Sequence, residues 1–206
     1  MPVTGARTLD LGLFPEGRSY HLQLTGGFFF SLASSYVTLL ESNFSGKEAD
    51  LSEKETPLSK TKLGPQTLLY PMPAVLVGSV VDGKPNFMTA AWCGIACMKP
   101  PALSVAINHT RHTLKGIQEE NALSINVPST ELVKEVDFCG IYSGKNKDKA
   151  GMFEVFYGDL ETAPLIRECP INLECKMTHC LDLGSHCLVV GEIIETHVDE
   201  DCMTDG

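Results

Sequence analysis

N-F-M-T-A-A-W-C-G-I-A-C-M-K-P-P-A-L-S-V-A-I-N-H-T-R-H-T, residues 86–113, decides how this chain is read. The stretch divides into two apolar strands, 86–97 and 102–107, joined at Pro100-Pro101, and then a loop that opens a helix. The first strand is dotted with small residues and carries Trp92, the single Trp of the chain. Small side chains let a flat ring approach the backbone closely. The loop presents Asn108, Thr110, Arg111, His112 and Thr113 ahead of a short amphipathic run containing Leu114 and Ile117. Donors at a helix N-terminus suit an anion, because free N–H groups and the helix dipole both favour negative charge there. Together the two halves suit a flat aromatic ligand with an anionic tail.

Upstream, residues 74–81 (A-V-L-V-G-S-V-V) form an almost continuously apolar strand, and 68–70 is a second strand candidate. Asp82-Gly83-Lys84-Pro85 reads as the turn into residue 86. Downstream, 114–120 is helical and 121–127 (N-A-L-S-I-N-V) alternates as a strand does. Pro128-Ser129-Thr130-Glu131 starts a second helix, with Ser129 as N-cap and Glu131 placing a carboxylate in the first turn. That helix runs to about Val136, with Leu132, Val133 and Val136 on one side. Residues 143–149 (S-G-K-N-K-D-K) are a basic polar loop. Strands at 173–179 and 187–197 flank the turn Leu183-Gly184-Ser185-His186. Turn-separated strands with two short helices predict a mainly β fold, a small β-barrel, rather than alternating βαβ units.

The 206 residues suffice for one domain with its own core, and 43% hydrophobic with 20% charged residues is an ordinary globular composition. A net charge of −10 without a basic stripe argues against nucleic acid as a partner. Residues 1 to about 55 read as an N-terminal extension outside the fold. Its apolar run, 26–40, is shorter than the roughly 20 residues a membrane span needs. That run starts late for a secretory signal, and only Arg7 and Arg18 precede it as basic residues. No membrane association is expected, and residues 42–62 read as a polar linker. The eight Cys sit in apolar runs, so most are expected to be reduced, buried and cytoplasmic. Cys169, Cys175, His179, Cys180, His186 and Cys187 crowd together, but no C-x-x-C pair and no zinc-like spacing occurs, so no metal is expected. No Ser/His/Asp constellation points to a nucleophile, so no residue is assigned a catalytic role.

From Leu63 on, the chain resembles the flavin reductase-like FMN-binding split-barrel family, most closely its flavoredoxin branch. The resemblance rests on K-L-G-P-Q-T-L-L-Y-P-M-P-A-V-L-V-G, D-G-K-P-N-F-M-T-A-A-W, K-P-P-A-L-S-V-A-I, T-R-H-T-L-K-G-I, V-D-F-C-G-I-Y-S-G-K and L-G-S-H-C-L-V-V-G-E-I. It implies a homodimeric split barrel over 63–206 that holds FMN non-covalently near the dimer interface. By the same resemblance Asn86, Thr89 and Trp92 lie along the isoalloxazine. Asn108, Thr110, Arg111 and Thr113 hold the ribityl phosphate. Lys149 reaches the flavin or its phosphate, and His186 stands close to the ring. The family lacks the extension over 1–55 and continues beyond Gly206, so the resemblance implies a truncated domain. It also implies an oxidoreductase in which electrons pass from NAD(P)H or a redox protein through FMN to an acceptor. The alternative is an FMN-containing electron carrier with a ferredoxin-like or other protein partner. No G-x-G-x-x-G fingerprint follows a strand, so a nicotinamide would bind over the flavin and not in a Rossmann domain.

Overall fold

The computed structural model describes residues 7–10, 21–24, 60–69 and 71–204. The apolar run 26–40, most of the 42–62 stretch and Tyr70 lie outside the described residues. The chain divides into two units, Met1–Leu69 with Thr204–Gly206, and Tyr70–Met203. In the first unit, β1 (Arg7–Asp10) pairs antiparallel with β2 (His21–Leu24), Arg7 opposite Leu24. Leu68 and Leu69, expected in a strand, are exposed and form none. Among the described residues no strand pairs with them, and local apolarity alone does not supply a partner.

The second unit is built on a seven-stranded sheet in which the strands run, from edge to edge, Lys84–Ala90, Val75–Val81, Ala122–Val127, Ile171–Asp182, His186–Val198, Pro101–Asn108 and Cys93–Met98. β3 (Val75–Val81) is rich in β-branched residues and almost wholly buried. Asp82 and Gly83, with φ of 51° and 75°, make a two-residue turn into β4 (Lys84–Ala90). Two successive positive φ values are what a tight hairpin needs, and Asp-Gly supplies them at low cost. The single long strand expected over 86–97 is instead two. The chain bends at Ala91-Trp92, and β5 (Cys93–Met98) leaves β4 to pair with β6 (Pro101–Asn108). β4 and β5 thereby become the two edges of the sheet. Residues from both ends of the sheet, Met88 and Ala90 of β4 with Leu103, Val105 and Ile107 of β6, meet in one buried cluster. The sheet is therefore curled into a barrel left open between its edges.

Helix α1 (His112–Glu120) begins two residues before the expected start and buries Leu114 and Ile117. A Cβ on Gly116 would stand 2.1 Å from the carbonyl oxygen of Val80, so only glycine lets α1 lie this close to β3. Asn121, in the left-handed region at φ 55°, ends the helix and turns the chain into β7 (Ala122–Val127). Ser129 stands at the start of a single 3₁₀ turn, Thr130–Leu132, with no side-chain cap. α2 (Val133–Ile141) follows and runs five residues past the expected end. Val133, expected on its packed side, is 63% exposed, whereas Leu132 and Val136 pack on a second cluster with Phe87, Cys139 and Phe153. A short hairpin, β8 (Val155–Phe156) with β9 (Leu165–Ile166), precedes β10 (Ile171–Asp182) and β11 (His186–Val198). These last two strands are longer than their apolar runs because their exposed ends still pair with one another.

Candidate functional site

The start of α1 is set by Asn108, the last residue of β6. Its Oδ1 accepts from the backbone N–H of Thr110 at 3.0 Å and from the Thr110 hydroxyl at 2.7 Å. This local bond turns the chain out of the strand. Arg111 then takes the N-cap position in an extended conformation, φ −74° and ψ 127°, leaving the first helical N–H groups without a side-chain cap.

Five candidate residues gather around α2 and the turn after it. Arg111 Nη1 donates to the Gly140 carbonyl at 2.9 Å. Lys149 Nζ donates to the carbonyls of Cys139 and Tyr142 at 3.3 and 3.2 Å. The Thr89 hydroxyl donates to the Val136 carbonyl. Asn86 Nδ2 donates to Thr113 Oγ1 at 2.6 Å. A Cβ on Gly144 would lie 2.0 Å from Asn86 Oδ1, so the chain leaving α2 folds directly onto that pair. Cations at the C-terminal end of a helix meet the negative end of its dipole. Arg111 and Lys149 therefore have a structural function here in addition to any toward a ligand. Lys149, read from sequence as part of a polar loop, is only 3% exposed. Burial lowers its pKa, and the Arg111 charge adds to that.

The remaining four candidates form the other half. His186 opens β11 and is the register partner of Asn108 on β6. Its ring lies 4.8 Å from that of Trp92, tilted by 34°. Trp92 sits at the bend between β4 and β5 and is 42% exposed. The Trp92 carbonyl accepts from Ala106 N–H at 2.9 Å, so the bend is tied to β6 two residues from Asn108. The hairpin tip behind His186 is held by Asp182, whose Oδ1 accepts from Gly184 N–H at 2.8 Å and lies 3.2 Å from His109 Nε2. Asn108 with Thr110 thus joins the aromatic pair to the α1 start.

Two features were not legible in the sequence. His112 Nδ1 is buried without a partner. Its pKa is lowered, first by burial and then by Lys145, Lys115 and Lys149, with Asp82 opposing. The sequence places His112 among the polar residues of the loop, but nothing in its spacing marks it as buried without a partner. A cavity of about 410 Å³ opens beside it, lined among others by Asn86, Gly144 and Lys149. The cysteines need one correction: Cys180 and Cys187 form a disulfide, with Cα atoms 6.0 Å apart across β10 and β11. That separation arises from diagonal pairing in the hairpin and lies in the bridging range. Cys93, Cys97, Cys139, Cys169 and Cys175 are free; Cys139, Cys169 and Cys175 are buried as expected, whereas Cys97 is exposed. Burial pushes the thiol of Cys139 up to about 11 and those of Cys169 and Cys175 to about 12.

The donor set fits a flavin mononucleotide. Trp92 and His186 offer a partly exposed aromatic wall for a ring. Arg111 and the uncapped first turn of α1 offer donors to an anion. Among the described residues no helix is long and apolar enough to cross a membrane.

The chain is 42% identical to flavoredoxin from Methanosarcina acetivorans, with a TM-score of 0.68 covering 69% of this chain and 77% of that one. It is 39% identical to flavoredoxin of Desulfovibrio vulgaris (Miyazaki F), with a TM-score of 0.66 covering 71% and 80%. It is 22% identical over 163 residues to FMN reductase (NADH) RutF of Pantoea ananatis, covering 75% of this chain and 84% of that protein. The flavin reductase like domain matches residues 67–205. A mainly β, antiparallel split barrel with this match means that the chain belongs to the flavin reductase-like family.

Proposed function

We propose that the protein is an FMN-binding oxidoreductase that passes electrons from NAD(P)H or a redox protein to an acceptor. The observation that carries this reading is the register pairing of His186 with Asn108, which sets an aromatic wall beside a loop of anion donors. When bound, FMN would supply the redox chemistry. The chain's own residues bind and orient. Trp92 and His186 flank the ring, with Thr89 and Asn86 along the strand. Arg111, Thr110, Thr113 and Asn108 hold the phosphate, and Lys149 reaches the flavin or its phosphate. With FMN bound, the His186 imidazole would favour negative charge on the ring by hydrogen bonding and electrostatics.

The reading includes a homodimer. Edge strand β5 exposes Ile95 at 75% and Met98 at 69% beside Trp92, an apolar edge that a second copy would cover. The free thiols of Cys93, Cys97, Cys139, Cys169 and Cys175 support a reducing compartment, the cytoplasm.

The similarity to flavoredoxins favours a second reading, an electron carrier with a protein partner such as a ferredoxin-like protein. One experiment separates the two. The FMN-loaded protein is mixed anaerobically with NADH or NADPH. Rapid bleaching of the flavin band by either supports the reductase. Inertness to both, with bleaching by reduced ferredoxin, supports the carrier.

A further inference from the structure

We propose that the cavity between the start of α1 and the 143–149 loop seats a phosphoryl group of a nicotinamide dinucleotide donor, so that NADPH is preferred to NADH. This deepens the oxidoreductase reading and rests on it.

The cavity is cationic in a chain whose net charge is −10. Lys84, Lys145 and Lys147 line it, and none of them has a carboxylate partner among the described residues. By contrast Lys115 is tied to Asp82 at 2.5 Å. The two carboxylates at the cavity are already engaged. Asp82 holds Lys115, and Asp148 Oδ1 accepts from the N–H groups of Ala150 and Gly151 at 3.0 and 3.2 Å. The floor is built rather than casual, since Asn86 is 6% and Lys149 3% exposed. His112 Nδ1 is buried there with no partner. The lysines also push His112 toward its neutral form, a field that a bound anion would reverse.

Size and position point beyond the flavin's own phosphate. A volume of about 410 Å³ falls in the roughly 300–1,000 Å³ range of small-molecule pockets. Of the residues assigned to the flavin and its phosphate, Asn86 and Lys149 line it, whereas Asn108, Thr110, Arg111 and Thr113 do not. Asn86 at its floor and Trp92 at the aromatic wall are six residues apart along the chain, a span of up to about 20 Å. A dinucleotide whose nicotinamide lay at the ring could reach the cavity with its far phosphoryl groups. NADPH carries one such group more than NADH, and paired lysines recognise it as point charges.

The test uses the FMN-loaded full chain and a Lys145→Ala/Lys147→Ala double variant, both substitutions being at exposed positions. Anaerobic flavin reduction is measured with each donor, and FMN affinity is measured separately. The expected result is that NADPH half-saturates at least about tenfold below NADH, a preference lost in the double variant while NADH and FMN binding stay within about twofold. In the wild type, 2′-AMP should also raise the His112 pKa, read from its ring proton shifts. Equal half-saturation by the two donors would overturn the proposal, as would an FMN-loaded protein that oxidises neither. A double variant that loses FMN itself would overturn it too, because the cavity would then be the flavin's seat. Failure of the wild type to bind FMN would instead sink the oxidoreductase reading.

Discussion

Asn86 donates its side-chain amide to the Thr113 hydroxyl across 2.6 Å, joining residues 27 apart in the chain and fixing the start of α1 against β4. Both residues are buried, at 6% and 1% exposure. Asn86→Ala leaves a buried hydroxyl unpaired and is expected to cost about 1–3 kcal/mol. Urea unfolding checks it, and a cycle with Thr113→Val isolates the pair. An unchanged midpoint in Asn86→Ala would show that the bond contributes nothing.

Trp92, the only Trp in the chain, reports on its own surroundings. FMN is expected to quench its emission, because the proposed site sets the ring against it. His186→Ala removes the ring 4.8 Å away. An aromatic pair is worth about 0.5–1.5 kcal/mol, so FMN affinity should fall roughly two- to tenfold. Unchanged Trp92 emission on saturation with FMN would place the flavin elsewhere.

Acid should loosen the tip that carries His186. The Gly184 N–H first, and His109 second, hold the Asp182 carboxyl below its ordinary 3.8. A depressed carboxylate contributes stability that is fully present above the unfolded value and is lost as pH falls through the folded one. Hydrogen exchange across 182–186 should therefore accelerate below about pH 4 in excess of the intrinsic rate. Asp182→Asn should remove that step, and its persistence in the variant would assign it to another group.

Much of this frame is legible along the chain because its causes are local. Asp82-Gly83 announces a tight turn, and the apolar run over 74–81 announces a buried strand. The 3.6 period from Leu114 to Ile117 announces α1. What escapes reading depends on partners far away in sequence. The bend at Ala91-Trp92 exists because β5 pairs with β6 and not with β3. Lys149 sits in a polar run yet is buried, because α2 extends far enough for its last carbonyls to take the ammonium. The Cys180–Cys187 bridge depends on diagonal pairing in a hairpin. Of the nine candidate residues, sequence spacing alone suggests one anion loop. Their division into an aromatic half and a group packed on α2 comes only with the fold.

Glu174 should anchor the 158–163 segment. It is fully buried. It accepts from the N–H groups of Asp159 and Leu160 at 3.1 and 2.6 Å, and His197 Nε2 lies 2.6 Å away. Glu174→Ala leaves these N–H groups without their acceptor, and an unpaired buried polar group costs about 1–3 kcal/mol, which is the least expected of the variant. Gly158→Ala should act in the same direction, because its Cβ would stand 1.9 Å from Glu174 Oε1. Thermal unfolding and exchange across 158–163 check both, and native-like protection in both variants would refute the anchoring.

Arg111 and its neighbours are proposed to seat the anionic tail of a flavin whose ring lies against Trp92. The direct measurement is a fluorescence titration of the flavin-free chain and its Arg111→Ala variant with FMN and with riboflavin, which lacks the phosphate. The account predicts saturable FMN binding to the wild type at micromolar or lower concentration, at least about tenfold tighter than riboflavin, with Arg111→Ala bringing FMN down to the riboflavin level. No saturation with FMN, or FMN and riboflavin binding alike in both proteins, would contradict it.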